Sequence, residues 1–278
     1  MHRLLFISAL FLLTSCQSFH SEEVTEQLTK HKHFSKKIIP TTGYSIASMQ
    51  PDQPIKSDIF RIYIEGDGKA WMRSGRPSPD PTPVNRLVHQ LMLQDPKPEI
   101  AYLARPCQFS MEKGCTPHTW TFGRYSNSVA NSMNDAISSL KHQYKFKTLE
   151  LVGYSGGATI ALLIAARRDD VISVRTIAGN LDPAFTNHFH RVSPMPDALN
   201  PIRHINELKQ VPQIHFYGKK DSVITGDVSR HYVSRFPEPH CIKTMAIEGA
   251  NHHDGWTTEW AELLEKEIPC HTKKAHIK

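Results

Sequence analysis

The chain has no apolar run long enough to cross a bilayer as a helix. The longest, Leu4–Leu13, gives way to Thr14 and Ser15, well short of the roughly 20 residues a hydrocarbon core requires. No CxxC or HExxH spacing occurs, which leaves the usual zinc frameworks without support. No internal repeat is found, which argues against a solenoid or propeller. Glycine is sparse, 14 in 278 residues, yet an apolar share of 39% supplies enough core-forming side chains to exclude a mostly disordered protein. Charge of one sign does not dominate either: 33 Lys and Arg face 27 Asp and Glu, a net +6. The excess gathers only at Lys30–Lys37 and at Lys273, Lys274 and Lys278. The first patch reads as a solvated linker, the second lacks the interleaved aromatics of a nucleic-acid surface, and no nucleic-acid partner is expected.

The sequence opens with Met1-His2-Arg3, the apolar run Leu4–Leu13, and Thr14-Ser15-Cys16. A short basic start followed by a short apolar run is the pattern of an export signal and is excluded from the fold. Its end resembles a bacterial lipobox. That resemblance implies a signal over 1–15, a lipidated Cys16, and a protein held by its acyl chains on the bacterial cell envelope, facing the periplasm or exterior. Simple secretion with cleavage near Ser15 is the alternative. Residues 16–56 then read as a polar tether whose later part docks on the domain, 57–270 as the domain, and 271–278 as a basic tail.

There are five cysteines: one for lipid and four for bridges. Cys107 and Cys115 bracket a short loop, Cys241 precedes a strand-like run, and Cys270 lies near the end. The expected pairs are Cys107 with Cys115 and Cys241 with Cys270, although four cysteines allow three connectivities.

Asp58–Glu65 is a β-branched and aromatic run that ends in Gly66-Asp67-Gly68, a buried strand entering a loop. Further strands are expected at 99–104, 146–153, 171–179, 214–218 and 242–247. Helices are expected at 85–93, 125–144, 158–167 and 258–268. In the second of these, Val129, Met133, Ile137 and Leu140 recur at spacings of three and four, the stripe of a core-facing helix. This alternation predicts an α/β fold, a mainly parallel sheet covered by helices on both faces. Residues 180–208, rich in Pro, His and Asn, form a short lid-like insertion.

The sharpest motif is Gly153-Tyr154-Ser155-Gly156-Gly157, directly after the strand-like Leu149–Val152 and before the helical Ala158–Ala161. A serine on a tight strand-to-helix turn projects its hydroxyl, and the small neighbours make room for the bend. Such a nucleophile needs a base and the base needs an orienting acid. Asp221 follows the Ile214 strand and His252 follows the Ile242 strand, which completes the chain order Ser, Asp, His. His253 is an alternative base, and Asp254, Asp182 and Asp227 are alternative acids. The Gly156 N–H, next after the nucleophile, is the first oxyanion donor.

From Asp58 to Ile268 the sequence resembles the α/β-hydrolase superfamily, and more closely its small serine hydrolases and esterases carried on bacterial lipoproteins. The resemblance implies a three-layer α/β sandwich with Ser155 as nucleophile, Asp221 as acid and His252 as base, reached through Gly249-Ala250-Asn251. It also implies a second oxyanion donor at the Asp67 N–H. There the family commonly has His-Gly-x-Gly, and this chain has Glu65-Gly66-Asp67-Gly68. The Asp67 side chain is expected to turn away or to pair with Arg73 or Arg124.

The function expected is a carboxylesterase for short- or medium-chain esters, working through an acyl-enzyme on a small-molecule ester, without metal or other cofactor. A peptidase or amidase of the same fold, and a catalytically silent envelope binding protein, are the alternatives. His188, Phe189, His190, Met195 and Pro196 are candidates for one pocket wall, or else a surface crossover. The sequence leaves the oligomeric state open.

Overall fold

A computed structural model describes residues 25–30 and 32–270. The export signal, Cys16 and the basic tail lie outside the described residues. Eight strands make one sheet: β1 (Phe34–Ile39), β2 (Ile46–Pro51), β3 (Ile59–Ile64), β4 (Ile100–Leu103), β5 (Thr148–Tyr154), β6 (Val171–Ile177), β7 (Gln213–Gly218) and β8 (Ile242–Ile247). Their order is β1-β2-β4-β3-β5-β6-β7-β8. From β4 through β8 every pairing is parallel, while β2 runs antiparallel to both β1 and β4.

Parallel strands are joined by crossovers that place helices on the sheet faces. Besides a helical stretch over residues 25–30, the helices among the described residues are α1 (Leu87–Gln94), α2 (Pro117–Trp120), α3 (Asn127–Tyr144), α4 (Gly156–Ala165), α5 (Pro183–Phe189), α6 (Ile205–Leu208), α7 (Gly226–Ser234) and α8 (Trp260–Leu264). On one face α3, α4 and α7 bury Met133, Ile137, Ile160, Leu163, Val228 and Tyr232 against the sheet. On the other, α1 and α8 bury Leu87, Leu91, Trp260 and Leu263. Every residue of α4 is buried, as expected of a helix that is apolar all round. Ser126 caps α3 by accepting from the Val129 N–H, and Lys145 closes it in the left-handed region at φ 59°.

The sheet starts earlier than the expected boundary at residue 57. Residues 34–51 are not a tether docked on the domain but two strands of its sheet, with Ile39 and Ile46 in the core. β1 exposes its middle, including Lys36 and Lys37, which is how natural sheets keep an edge from pairing further. Both expected disulfides are formed, Cys107–Cys115 and Cys241–Cys270.

The 180–208 insertion sits between β6 and β7 and contains α5, a tight helical turn at Pro201–His204, and α6. Deep in the opposite end of the sheet, Arg61 is buried between Asp95 (2.6 Å) and Glu150 (2.8 Å), with Lys97 also reaching Glu150 at 3.1 Å. Arg61 and Lys97 together hold the Glu150 carboxyl down to about 2 despite its burial.

Candidate active site

β5 runs straight into α4 through Ser155, whose backbone is bent to φ 49° and ψ −120°. That conformation is sparsely populated by residues other than glycine, and it is held here by a hydrogen bond from the Ser155 N–H to Ile177 O of β6, 3.0 Å. Gly153 lets the bend close: a β-carbon there would meet the Ala158 Cα at 2.6 Å. The hydroxyl is thus carried at the carboxyl end of the sheet, where open α/β sheets place their ligands.

Asp221 lies just after β7 and His252 after β8. His252 Nδ1 donates to Asp221 Oδ2 at 2.9 Å, and His252 Nε2 stands 3.1 Å from Ser155 Oγ. With Nδ1 committed to the carboxylate, Nε2 is the ring nitrogen free to accept the serine proton. The other carboxylate oxygen, Asp221 Oδ1, accepts from the Val223 and Ile224 N–H groups at 2.7 and 2.8 Å. The Asp221 side chain is fully buried, so these bonds fix its orientation. Ser155, Asp221 and His252 are therefore brought into one continuous relay.

The alternatives lie elsewhere. His253 Nδ1 meets Tyr154 Oη at 2.8 Å and Asn85 Nδ2 at 3.1 Å. Partial burial and the neighbouring His252 lower its pKa. Asp254 accepts from Asn251 Nδ2 at 3.0 Å within its own loop. Asp182 caps α5, taking the Ala184 and Phe185 N–H groups and Asn200 Nδ2. Asp227 pairs with Arg230 at 2.7 Å on the surface.

The Glu65–Gly68 loop packs beside the serine. Asp67 pairs with Arg124 at 3.0 Å and Arg105 at 3.2 Å, and its Oδ2 accepts from Tyr125 Oη at 2.8 Å. Of the two expected cations, Arg124 is the partner and Arg73 is not. Arg105, at the carboxyl end of β4, takes the second place. Its position directly after a strand that enters this edge was the signal available in the sequence. Two guanidinium groups thus neutralise a carboxylate next to Gly156, where a bare one would oppose developing negative charge.

Glu65 stands at the position for which the sequence resemblance implies a histidine. Its carboxyl accepts from the Gly66 N–H at 2.9 Å and from Tyr102 Oη at 3.0 Å. Complete burial nevertheless pushes its pKa up to about 7.

A cleft of about 300 Å³ opens over Ser155 and His252. Its walls come from the loop after β3, including Trp71, and from Asn85, Tyr154 and His253. Of the two readings of 180–208, pocket wall or surface crossover, the second fits: the cleft lining includes none of its residues. His188, Met195 and Pro196 line a separate cavity of about 400 Å³, Phe189 is largely exposed, and His190 Nε2 bonds Val223 O at 2.7 Å. The insertion behaves as a surface crossover packed by a few apolar side chains. Among the described residues no group of three or more His, Cys, Asp or Glu is arranged to hold a metal ion, and no helix is long and apolar enough to cross a membrane.

The parallel sheet with antiparallel strands at one end, the elbow between β5 and α4, and the loops gathered at the carboxyl edge define the α/β-hydrolase fold. Solved structures of that fold resemble the chain. The esterase domain of a Rhodothermus marinus protein superposes with a TM-score of 0.55 at 15% identity, covering 83% of this chain and 94% of that one. XC6422 of Xanthomonas campestris, described as an α/β serine hydrolase without lid, gives 0.53 at 10% identity, with 83% and 94% covered. The acylaminoacyl peptidase of Pyrococcus horikoshii gives 0.57 at 10% identity over 86% of this chain, which spans 39% of that protein. No protein-family model matches the sequence, and no curated protein matches it.

Proposed function

We propose that the chain is a serine hydrolase, and within that class a carboxylesterase for short- or medium-chain esters. The observation that carries this reading is the Ser155–His252–Asp221 relay on the strained elbow. Ser155 Oγ attacks the ester carbonyl while His252 Nε2 takes its proton, and Asp221 stabilises the resulting imidazolium. The oxyanion is met by the Gly156 N–H at the start of α4 and by the Asp67 N–H. His252 returns the proton to the departing alcohol, and water then cleaves the acyl-serine by the same path. The esterase and serine hydrolase among the similar folds agree with this chemistry.

An interfacial lipase fits less well, because α5 has 7 residues and α6 has 4, too little for an apolar lid helix. The relay itself serves amides as well as esters. The test is therefore initial-rate hydrolysis of p-nitrophenyl esters from acetate to palmitate, beside acyl p-nitroanilides, with Ser155→Ala in parallel. A maximum at short or medium esters that disappears in the variant supports the reading. Serine-independent rates across the series would overturn it, and faster anilide than ester cleavage would reassign the enzyme to amides. We also place the protein on the cell envelope through lipid on Cys16. Labelling with a fatty-acid analogue that persists in Cys16→Ser would refute that.

A further inference from the structure

Trp71 is 39% exposed and lines the Ser155 cleft. It is held there firmly. Residues 69–81 form a flap whose legs are tied by the Lys69 N–H to Pro81 O at 2.9 Å, by the Ser78 N–H to Ala70 O at 3.0 Å, and by a bridge between Trp71 and Pro77. From the body of the domain, Trp120 Nε1 donates to Ser78 O at 3.1 Å, and the Phe109 N–H donates to Thr82 Oγ1 at 2.8 Å. Phe122, also 39% exposed, meets the indole edge-on with ring centroids 5.5 Å apart. The indole, backed by Phe122, is thus fixed in the cleft lining with part of its surface open to water. A face fixed in advance binds without the entropic cost of ordering it.

The rest of the cleft is mostly polar, with Pro83 and the exposed Val84 as its other apolar members. Tyr154 Oη, His253 and Asn85 form a hydrogen-bonded group, with His253 and Asn85 exposed, and Lys69 belongs to the same lining. A saturated acyl chain laid across the Asn85 and His253 side would strip water from an amide and an imidazole and give them no hydrogen bonds in return. A bare aryl group would use the indole and leave the same polar groups unmet. A sugar ring uses both. Its axial C–H face stacks on the indole, and its hydroxyls exchange hydrogen bonds with Asn85, His253 and Lys69. In a cleft of about 300 Å³ the ring leaves room for only a small acyl group at Ser155.

We infer that the substrate is a short O-acyl ester of a sugar, of acetyl size, with Trp71 as the stacking face and Asn85 and His253 as partners of the ring hydroxyls. The inference rests on the hydrolase reading above. It names Trp71 and Asn85 as specificity determinants for the leaving alcohol.

The experiment compares methyl 6-O-acetylglucopyranoside, ethyl acetate, phenyl acetate and ethyl octanoate as substrates of the wild type, Trp71→Ala, Trp71→Phe, Asn85→Ala and Ser155→Ala. The expected result is a kcat/KM for the sugar acetate at least tenfold above that for ethyl acetate. That ratio falls at least tenfold in Trp71→Ala, chiefly through KM, and recovers in Trp71→Phe, which keeps a flat ring and guards against a misfolded flap. It falls at least threefold in Asn85→Ala. A wild-type ratio near one, or a ratio unmoved by both Trp71→Ala and Asn85→Ala, overturns the inference. So does a preference for phenyl acetate or ethyl octanoate over the sugar acetate. Ser155-dependent hydrolysis of ethyl acetate without sugar preference overturns this inference alone, whereas hydrolysis unchanged in Ser155→Ala overturns the hydrolase reading beneath it.

Discussion

The Asp67 carboxylate fills the space that a side chain at Gly156 would need: a β-carbon there would come within 2.0 Å of Asp67 Oδ1. Because Arg105 and Arg124 hold that carboxylate in place, the added methyl must displace either the Glu65–Gly68 loop or the start of α4. Both carry the proposed oxyanion donors. Gly156→Ala is expected to lower kcat/KM at least tenfold, and adding Asp67→Ala to restore part of the loss. Steady-state rates on one short ester, for the two single variants and the double, measure this coupling.

Asp221→Asn keeps the shape of the relay while offering His252 Nδ1 an amide. The amide NH₂ can then drive the ring into the tautomer whose Nε2 carries a hydrogen toward Ser155. A loss of about 10⁴ in kcat is expected, by analogy with the same change in serine proteases. Asp182→Asn, at a helix cap outside the relay, is expected to cost stability rather than kcat. Equal kinetic losses in both would point to the wrong acid.

Glu65 supplies a pH dependence of stability. Its carboxyl, ordinarily ionising near 4.5, is raised to about 7 by burial, so the native chain holds a proton that the unfolded chain has released between those values. The stability tied to that proton is fully present below about pH 4.5 and is lost as pH rises through 7, a difference of order 3 kcal/mol. Glu65→Gln keeps an uncharged group against Tyr102 and Gly66. Its Tm is expected to fall less than that of the wild type between pH 5 and 8, as thermal melts across that range would show.

The two disulfides close loops with sequence separations of 8 and 29. The chain-entropy relation gives about 2.5 kcal/mol for the shorter and about 3.6 kcal/mol for the longer. Denaturant melts of Cys107→Ser/Cys115→Ser and Cys241→Ser/Cys270→Ser are expected to follow that order. The shorter bridge lies beside the flap, so its loss is expected to raise KM as well, an effect absent from the longer one.

The parallel half of the sheet was legible because its strands are short apolar runs bounded by turn residues. The run expected at 242–247 is β8 itself. The antiparallel pair was not. β1 buries only its ends and carries Lys36 and Lys37 at its centre, which reads as polar linker. β2 buries Ser48 and Gln50, whose polar atoms are met by Lys37 O and by Gln143 and Tyr144. Burial of satisfied polar groups leaves no apolar alternation to read. α7 was hidden for a related reason: it starts at Gly226, carries Asp227 and Arg230 on its outer side, and buries the polar Ser229 beside Val228 and Tyr232. Ser155, Asp221 and His252 were legible because each follows a recognisable strand. The walls of the cleft were not, since Trp71 and Asn85 reach it only through the path of a proline-rich loop.

His252 and Ser155 are 97 residues apart in the chain, and His252 and Asp221 are 31 apart. The relay exists only when β5, β6, β7 and β8 are assembled in that order, and β8 is the last strand among the described residues. Turnover is consequently a stringent gauge of complete refolding. Far-ultraviolet dichroism registers helices such as α3, which can form from local contacts, but the proposed Ser155 chemistry cannot run until β8 has been added to the sheet.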